Sequence, residues 1–191
     1  MSPAEPAPTR LTVDEYFALV EQGRLRPNDR VELLEGVVVS MSPQNPPHAG
    51  TIARITALLV RLLGEHAVVR VQLPFIAGPY TVPEPDFAVV PGPPDDWYAR
   101  HPDRALLVIE VADASLPTDR LSKSAIYAAA GVPQYLIVNL QGDRVEVFEE
   151  PRVETARYRL ARVAARGERV ALVGFPGLDL AIDDLLGPPR G

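Results

Sequence analysis

"ALLVIEVADASLPTDRLSK", residues 105–123, is the stretch on which the fold turns. Leu106, Leu107, Val108 and Ile109 form the continuous apolar run of a strand covered on both faces. Glu110 interrupts the run, and Val111 and Ala112 resume it. A buried, unpaired carboxylate costs at least several kcal/mol, on the order of the desolvation penalty of one ion. A basic partner, neutralisation or a metal ion can each offset that cost. The chain then turns helical over "TDRLSKSAIYAAAGVP" (118–133), where Gly131 and Pro133 act as stop signals.

Strands flank this unit on both sides. "AVVRVQLPFIA" (67–77) and "DFAVVP" (86–91) precede it, and "QYLIVNL" (134–140) and "RVEVFEE" (144–150) follow, joined through Gln141-Gly142. A helix crossing between 105–112 and 134–140 implies a parallel pair inside a mixed sheet. Further upstream, "LTVDEYFALVEQG" (11–23) opens with Thr12 and Glu15 at capping-box spacing and carries Tyr16, Leu19 and Val20 on one face, with Gly23 as its stop. "RVELLEGVVVSM" (30–41) reads as a hairpin about Glu35-Gly36. "HAGTIARITALLVRLLGEHA" (48–67) places Ile52, Ile55, Leu58, Leu59, Leu62 and Leu63 at helical period. After Pro151 come short Arg-rich strands and a final helical turn near Asp183–Leu186. The fold class is α/β, a mixed sheet flanked by helices with an added C-terminal β-rich extension. Residues 1–10 read as a disordered arm and 11–191 as a single domain, with a core over about 11–150 and the extension over 151–191.

The bulk composition bounds the function. The chain has 191 residues, 47% hydrophobic and 23% charged, ordinary values for a soluble domain with a real core. There is no cysteine, so neither disulfides nor thiolate chemistry. Three histidines, His48, His66 and His101, argue against a histidine-rich zinc site. No apolar signal core or transmembrane run is present, and the expected location is the cytoplasm. A net charge of −6 argues against broad non-specific nucleic-acid binding, which relies on basic surface, but leaves room for a local basic groove.

A second carboxylate is placed to meet Glu110. "VPEPDFAVV" puts Asp86 at the start of the preceding strand. If the two strands are antiparallel, the start of one lies beside the end of the other, and Asp86 and Glu110 share one edge of the sheet. Carboxylates that converge in this way repel unless a proton or cation lies between them, and such oxygen ligands suit Mg²⁺ or Mn²⁺. Lys123 sits early in the following helix, and Tyr127 is one turn further on the same face. Glu32, between Val31 and Leu33, is a third acid. Taken singly, Glu32 reads as a solvated strand position, Lys123 as an exposed helix position and Asp86 as the end of a loop. Taken together, in this order and on these elements, they read as a site.

A proline-aspartate at a strand start followed by a glutamate in an apolar strand resembles the PD-(D/E)xK nuclease superfamily. The closer resemblance is to the Uma family of restriction-endonuclease-like proteins. It rests on five blocks in order: "LTVDEYFAL", "VELLEGVVVSMSPQNPPHAG", "PEPDFAVV", "LLVIEVADAS" and "DRLSKSAIYAAAGVPQYLIVN". The resemblance implies metal-dependent hydrolysis of phosphodiester bonds in nucleic acid, DNA by preference. It implies that Asp86 and Glu110 hold Mg²⁺ or Mn²⁺, with Glu32 as the upstream acid. The superfamily lysine two residues after the glutamate is Ala112 here; the Uma pattern displaces it to the following helix, onto Lys123. His48 matches a recurrent histidine of the family, and equally well reads as a helix-start residue. Asn139 departs from the pattern, which often has Asp there.

Arg157 and Arg159 project to one face of an expected strand and offer a phosphate-contacting flank, although a charged, soluble edge strand explains them as well. A homodimer is expected, with "RVEVFEE" or the apolar helix faces as candidate surfaces. Two other readings compete: a catalytically inactive binding or assembly module on the nuclease fold, and a structural ion-pair cluster in which Lys123 only neutralises Glu110.

Overall fold

Residues 107–112 are buried at every position, and so are 134–139. Strands of that kind need cover on both faces, and the helices supply it. The computed structural model describes residues 10–188 except 42, 65 and 114, so the expected N-terminal arm lies, but for Arg10, outside the described residues. Helix α1 (Val13–Glu21) precedes the hairpin β1 (Val31–Leu34) and β2 (Val37–Ser40). Helix α2 (Pro46–Leu63) leads to β3 (Val68–Val71), β4 (Phe87–Val90) and β5 (Leu107–Ala112). A helical crossover reaches β6 (Gln134–Asn139), and then come β7 (Arg144–Arg152) and β8 (Arg157–Ala165). Strands β9 (Arg169–Ala171) and β10 (Asp179–Ala181) pair with each other before α5 (Ile182–Leu186).

Strands β3 to β8 form one sheet in sequence order. The β5–β6 pair is parallel, as the crossover required, and the other neighbours are antiparallel. Ile109, Val111, Leu136 and Val138 pack on one face against Ile55 and Leu59 of α2 and Leu185 of α5. Residues 170–186 feed this same core through Val170, Leu180 and Ile182. Val108, Ala112, Tyr135 and Ile137 occupy the other face, under Ile126 and Tyr127. Strand alternation puts Glu110 on this second face.

Local chemistry explains the element boundaries. Thr12 caps α1 by accepting from the Glu15 N–H, and the Glu15 carboxylate accepts from the Thr12 N–H. The β1–β2 turn has Glu35 at φ 51° and Gly36 at φ 85°, the pattern of a type I′ hairpin. A Cβ on Gly36 would lie 2.5 Å from that of Arg10, so only glycine fits.

Four expectations need correction. Helix α2 starts at Pro46 rather than His48, because Asn45 accepts from the His48 N–H and two prolines occupy the first turn, where no donor is needed. Strand β3 stops at Val71 instead of running to 77. Gln72 adopts φ 50° and turns its N–H toward the Pro85 and Asp86 carbonyls. The crossover is not a regular helix: α3 (Leu116–Thr118) and α4 (Ser124–Ala129) flank a π turn at Asp119–Lys123. Finally, β7 is paired on both sides, so its edge offers no dimer surface; β8 is the edge strand.

Replacing the α1 cap by Thr12→Ala is expected to lower stability by about 1 kcal/mol, read as a shift in the urea midpoint with an unchanged slope.

Candidate active site

Antiparallel pairing of β4 with β5 sets Phe87 opposite Ile109, so the next pair outward is Asp86 and Glu110. Each carboxylate accepts from backbone on the neighbouring strand. The Val111 N–H donates to Asp86 Oδ2 at 2.8 Å, and the Asp86 N–H to Glu110 Oε2 at 3.4 Å. The two acids are thereby fixed at one end of the sheet, both buried.

The question raised by Glu110 is answered by the crossover. Lys123 Nζ donates to Glu110 Oε1 at 3.0 Å, and the Tyr127 hydroxyl donates to the same oxygen at 2.7 Å. Lys123 also lies 3.7 Å from Glu32 Oε2. Glu32 is therefore not a solvated strand position, nor Lys123 an exposed helix position: they are 7% and 8% exposed. The Glu84 N–H donates to Glu32 and ties the hairpin to the segment before β4. His48 sits in the first turn of α2 and its ring also reaches Asp86. Its N–H is taken by the Asn45 cap, while its ring Nε2 lies 3.2 Å from Asp86 Oδ2. An ionised carboxylate only accepts, so Nε2 carries the hydrogen.

Three further residues, Gln72, Asp119 and Glu84, join the site. Gln72 donates to Asp86 Oδ1 at 3.0 Å from its left-handed position, which no local pattern announces. Asp119 stands one helical turn before Lys123 and takes a hydrogen bond from Ser115; the spacing to Lys123 was the available signal. Glu84, two residues before Asp86, lines the same cleft.

The π turn is fastened to the sheet. Its Asp119 carbonyl accepts from the Ser124 N–H and from the Tyr135 hydroxyl. Arg120 makes a two-pronged ion pair with Glu146 of β7, and Asn139 donates to that same carboxylate at 3.3 Å. An Asp at 139 would turn a carboxylate toward Glu146, so Asn is the residue that suits this partner.

Arg157 and Arg159 are not part of this constellation. Glu110 lies in the row Ile137, Glu146, Val163, whereas the two arginines sit near the opposite end of β8. Arg159 pairs with Glu150 and Arg157 lies opposite Arg152. These facts fit the charged edge-strand reading.

Electrostatics separates the two central acids. Burial raises the Asp86 pKa, but His48, the Val111 N–H and Gln72 outweigh it and hold the group below its ordinary value. Burial pushes the Glu110 carboxyl up to about 8 against the pull of Lys123. Burial would deprotonate Lys123, but Glu110, Glu32 and Asp119 overcome it and keep the ammonium charged. His48 is likewise raised, its burial outweighed by Asp86 and more distant acids.

A cleft of about 600 Å³ opens over these groups. Glu32, Glu35, Glu84, Asp86, Glu110, Asp113 and Asp119 line it against Arg30, Lys123 and His48. The family model described as "Putative restriction endonuclease", Uma2, matches residues 13–183. The chain belongs to this family. A crystal structure from Anabaena variabilis ATCC 29413, described as a putative nuclease belonging to DUF820, is similar at 15% identity with a TM-score of 0.72. The match covers 92% of this chain and 97% of that one, and shows a shared restriction-endonuclease-like fold. No curated protein matches the chain. Among the described residues, no helix is long and apolar enough to cross a membrane.

In this Uma2 member the donor set fits a hard cation in a limited way. Among the described residues, no three His, Cys, Asp or Glu side chains are grouped as a metal cage. Mg²⁺ keeps several waters and needs only one or two carboxylates, a role that Asp86 and Glu110 could fill.

Lys123→Met leaves Glu110 buried without its cation, with an expected stability loss of about 3 kcal/mol or more at pH 8. Glu110 has a folded pKa above its unfolded value of 4.5, so the folded state holds more protons between about 4.5 and 8. Stability falls as pH rises through that window. Without Lys123 the folded pKa of Glu110 rises further, so the loss in Lys123→Met should grow as pH rises above about 8, as measured by urea unfolding at pH 7 and pH 9.

Proposed function

We propose that this chain is a nuclease that hydrolyses phosphodiester bonds of DNA with Mg²⁺ or Mn²⁺ as cofactor. The observation that carries the reading is the pairing of Asp86 and Glu110 in register at one end of the sheet, with Lys123 held on Glu110. The description of the Uma2 family supports it. A phosphate entering a cleft lined by so many carboxylates needs a cation to offset the repulsion.

Asp86 and Glu110 would hold the cation. When bound, the ion supplies a Lewis acid that lowers the pKa of a water and offsets charge on the phosphate. Gln72, His48 and the Val111 N–H keep Asp86 ionised and aimed. Tyr127 and the Asp86 N–H orient Glu110. Lys123 keeps a fixed positive charge beside Glu110, where it can stabilise negative charge that builds on the phosphate. Glu32 holds Lys123 from the other side.

The test is cleavage of plasmid and single-stranded DNA with Mg²⁺ or Mn²⁺. Wild type should cut, chelation should abolish cutting, and Asp86→Asn or Glu110→Gln should slow it by about 10²-fold or more. Equal rates for wild type and Asp86→Asn, or no cleavage by either, overturn the reading. The second reading is a binding module without catalysis, favoured by a Glu110 carboxylate whose oxygens are already taken by Lys123, Tyr127 and the Asp86 N–H. Calorimetry with Mn²⁺ separates the two: the nuclease gives heat that is lost in Glu110→Ala, and the module gives none.

A further inference from the structure

The acidic cleft continues into a second hollow of about 380 Å³, walled by Phe17 and Val20 of α1, Pro74 and His101. Arg30, Gln72 and Glu84 line both spaces, so cleft and hollow form one trough. Its far end is flat and aromatic. The Phe17 and His101 rings stack with centroids 5.1 Å apart and planes 17° from parallel. Burial, helped by Arg70, pushes His101 below its ordinary pKa, so the ring is neutral at pH 7.

The junction is polar and conformationally demanding. Arg30 has φ 46° and Gln72 φ 50°, and neither sits in a hairpin turn. Side chains other than glycine seldom adopt this left-handed conformation, and such positions cluster at functional sites. Here they place an exposed guanidinium and an amide where the two spaces meet. Glu84 adds a hydrogen-bond acceptor at the same point.

An aromatic wall, a polar rim and two guanidinium groups, Arg26 and Arg30, beside a phosphodiester site match the chemistry of a single nucleotide. We infer that the trough takes an unpaired nucleobase next to the phosphodiester held at Asp86 and Glu110. The substrate class is then single-stranded nucleic acid, or a duplex with an unpaired nucleotide at the cut. This rests on the nuclease reading above. The base extends the Phe17–His101 stack, its backbone phosphate meets Arg30, and its polar edge meets Glu84 or Gln72. A base inside a duplex is stacked on both sides and cannot present its face to the ring pair.

Binding is measured by fluorescence anisotropy with the Asp86→Asn chain, which removes cleavage and one repelling charge. A short single strand should bind about ten-fold more tightly than a blunt duplex or an abasic strand of equal length. Phe17→Leu keeps apolar bulk but removes the π face, and should cost about ten-fold. Phe17 also packs against Tyr16, Leu33 and Val82, so Val20→Glu is the companion variant. Val20 is 40% exposed, and a carboxylate there should weaken binding comparably without a folding defect. Arg30→Gln should reduce the slope of log affinity against log salt by about 0.7. Equal affinity for single strand, duplex and abasic strand overturns the inference, as does unchanged binding by both Phe17→Leu and Val20→Glu. Base-dependent binding without cleavage by wild type would remove the nuclease reading and leave the trough; cleavage of duplex DNA indifferent to Phe17 would do the reverse.

Discussion

The buried contact between Lys123 and Glu110 is the constraint around which the rest of the molecule is arranged. A carboxylate in the middle of a sheet with both faces covered is stable only if its charge is met locally. The ammonium, the Tyr127 hydroxyl and the Asp86 N–H meet it. For Lys123 to arrive there, the crossover must leave β5, fold over the sheet and hold its position. The π turn places Asp119 and Lys123 over the strand ends, and the Arg120–Glu146 pair pins that turn to β7. The ion pair thus links the parallel β5–β6 unit to the antiparallel half of the sheet.

The same interaction makes the two central acids chemically different. Asp86 is surrounded by donors that hold its pKa below its ordinary value, whereas burial pushes Glu110 up to about 8. Neighbouring carboxylates whose pKa values are driven apart are a usual mark of acid and base roles or of a cation site. The surrounding cleft carries more carboxylates than cations, so an anionic substrate and this surface are compatible only with a counter-ion between them. Part of the net charge of −6 is concentrated in this cleft rather than spread over the surface.

Much of this was legible in the chain because burial leaves a pattern. Apolar runs at 107–112, broken only by Glu110, and at 135–138, with a helix between them, specified two central parallel strands. Once the 86–91 strand was read as antiparallel to its neighbour, Asp86 had to lie beside Glu110. The four-residue step from Lys123 to Tyr127 put both over the same carboxylate. The parts that were not legible depend on contacts between distant segments. Glu32 alternates with apolar neighbours just as an exposed residue does, and only the packing of the hairpin against Lys123 buries it. Gln72 joins the site because a backbone reversal ends β3 early. Arg157 and Arg159 share a strand with residues near the site but lie toward its far end, a matter of register that local pattern does not carry.

The sequence by itself determined the α/β class, the central strand pair and the meeting of two acids, because each follows from periodicity and strand direction over short distances. It also posed the problem of Glu110, since a charge in an apolar run demands a partner. The tertiary structure decided which partner, by winding a π turn that brings Lys123 within 3.0 Å of Glu110. It decided as well that the cleft runs on to Phe17 and His101, residues 84 positions apart in the chain that meet through packing alone. Such contacts depend on how helices settle on a sheet, and that geometry is set by the packing of the whole core rather than by any one segment.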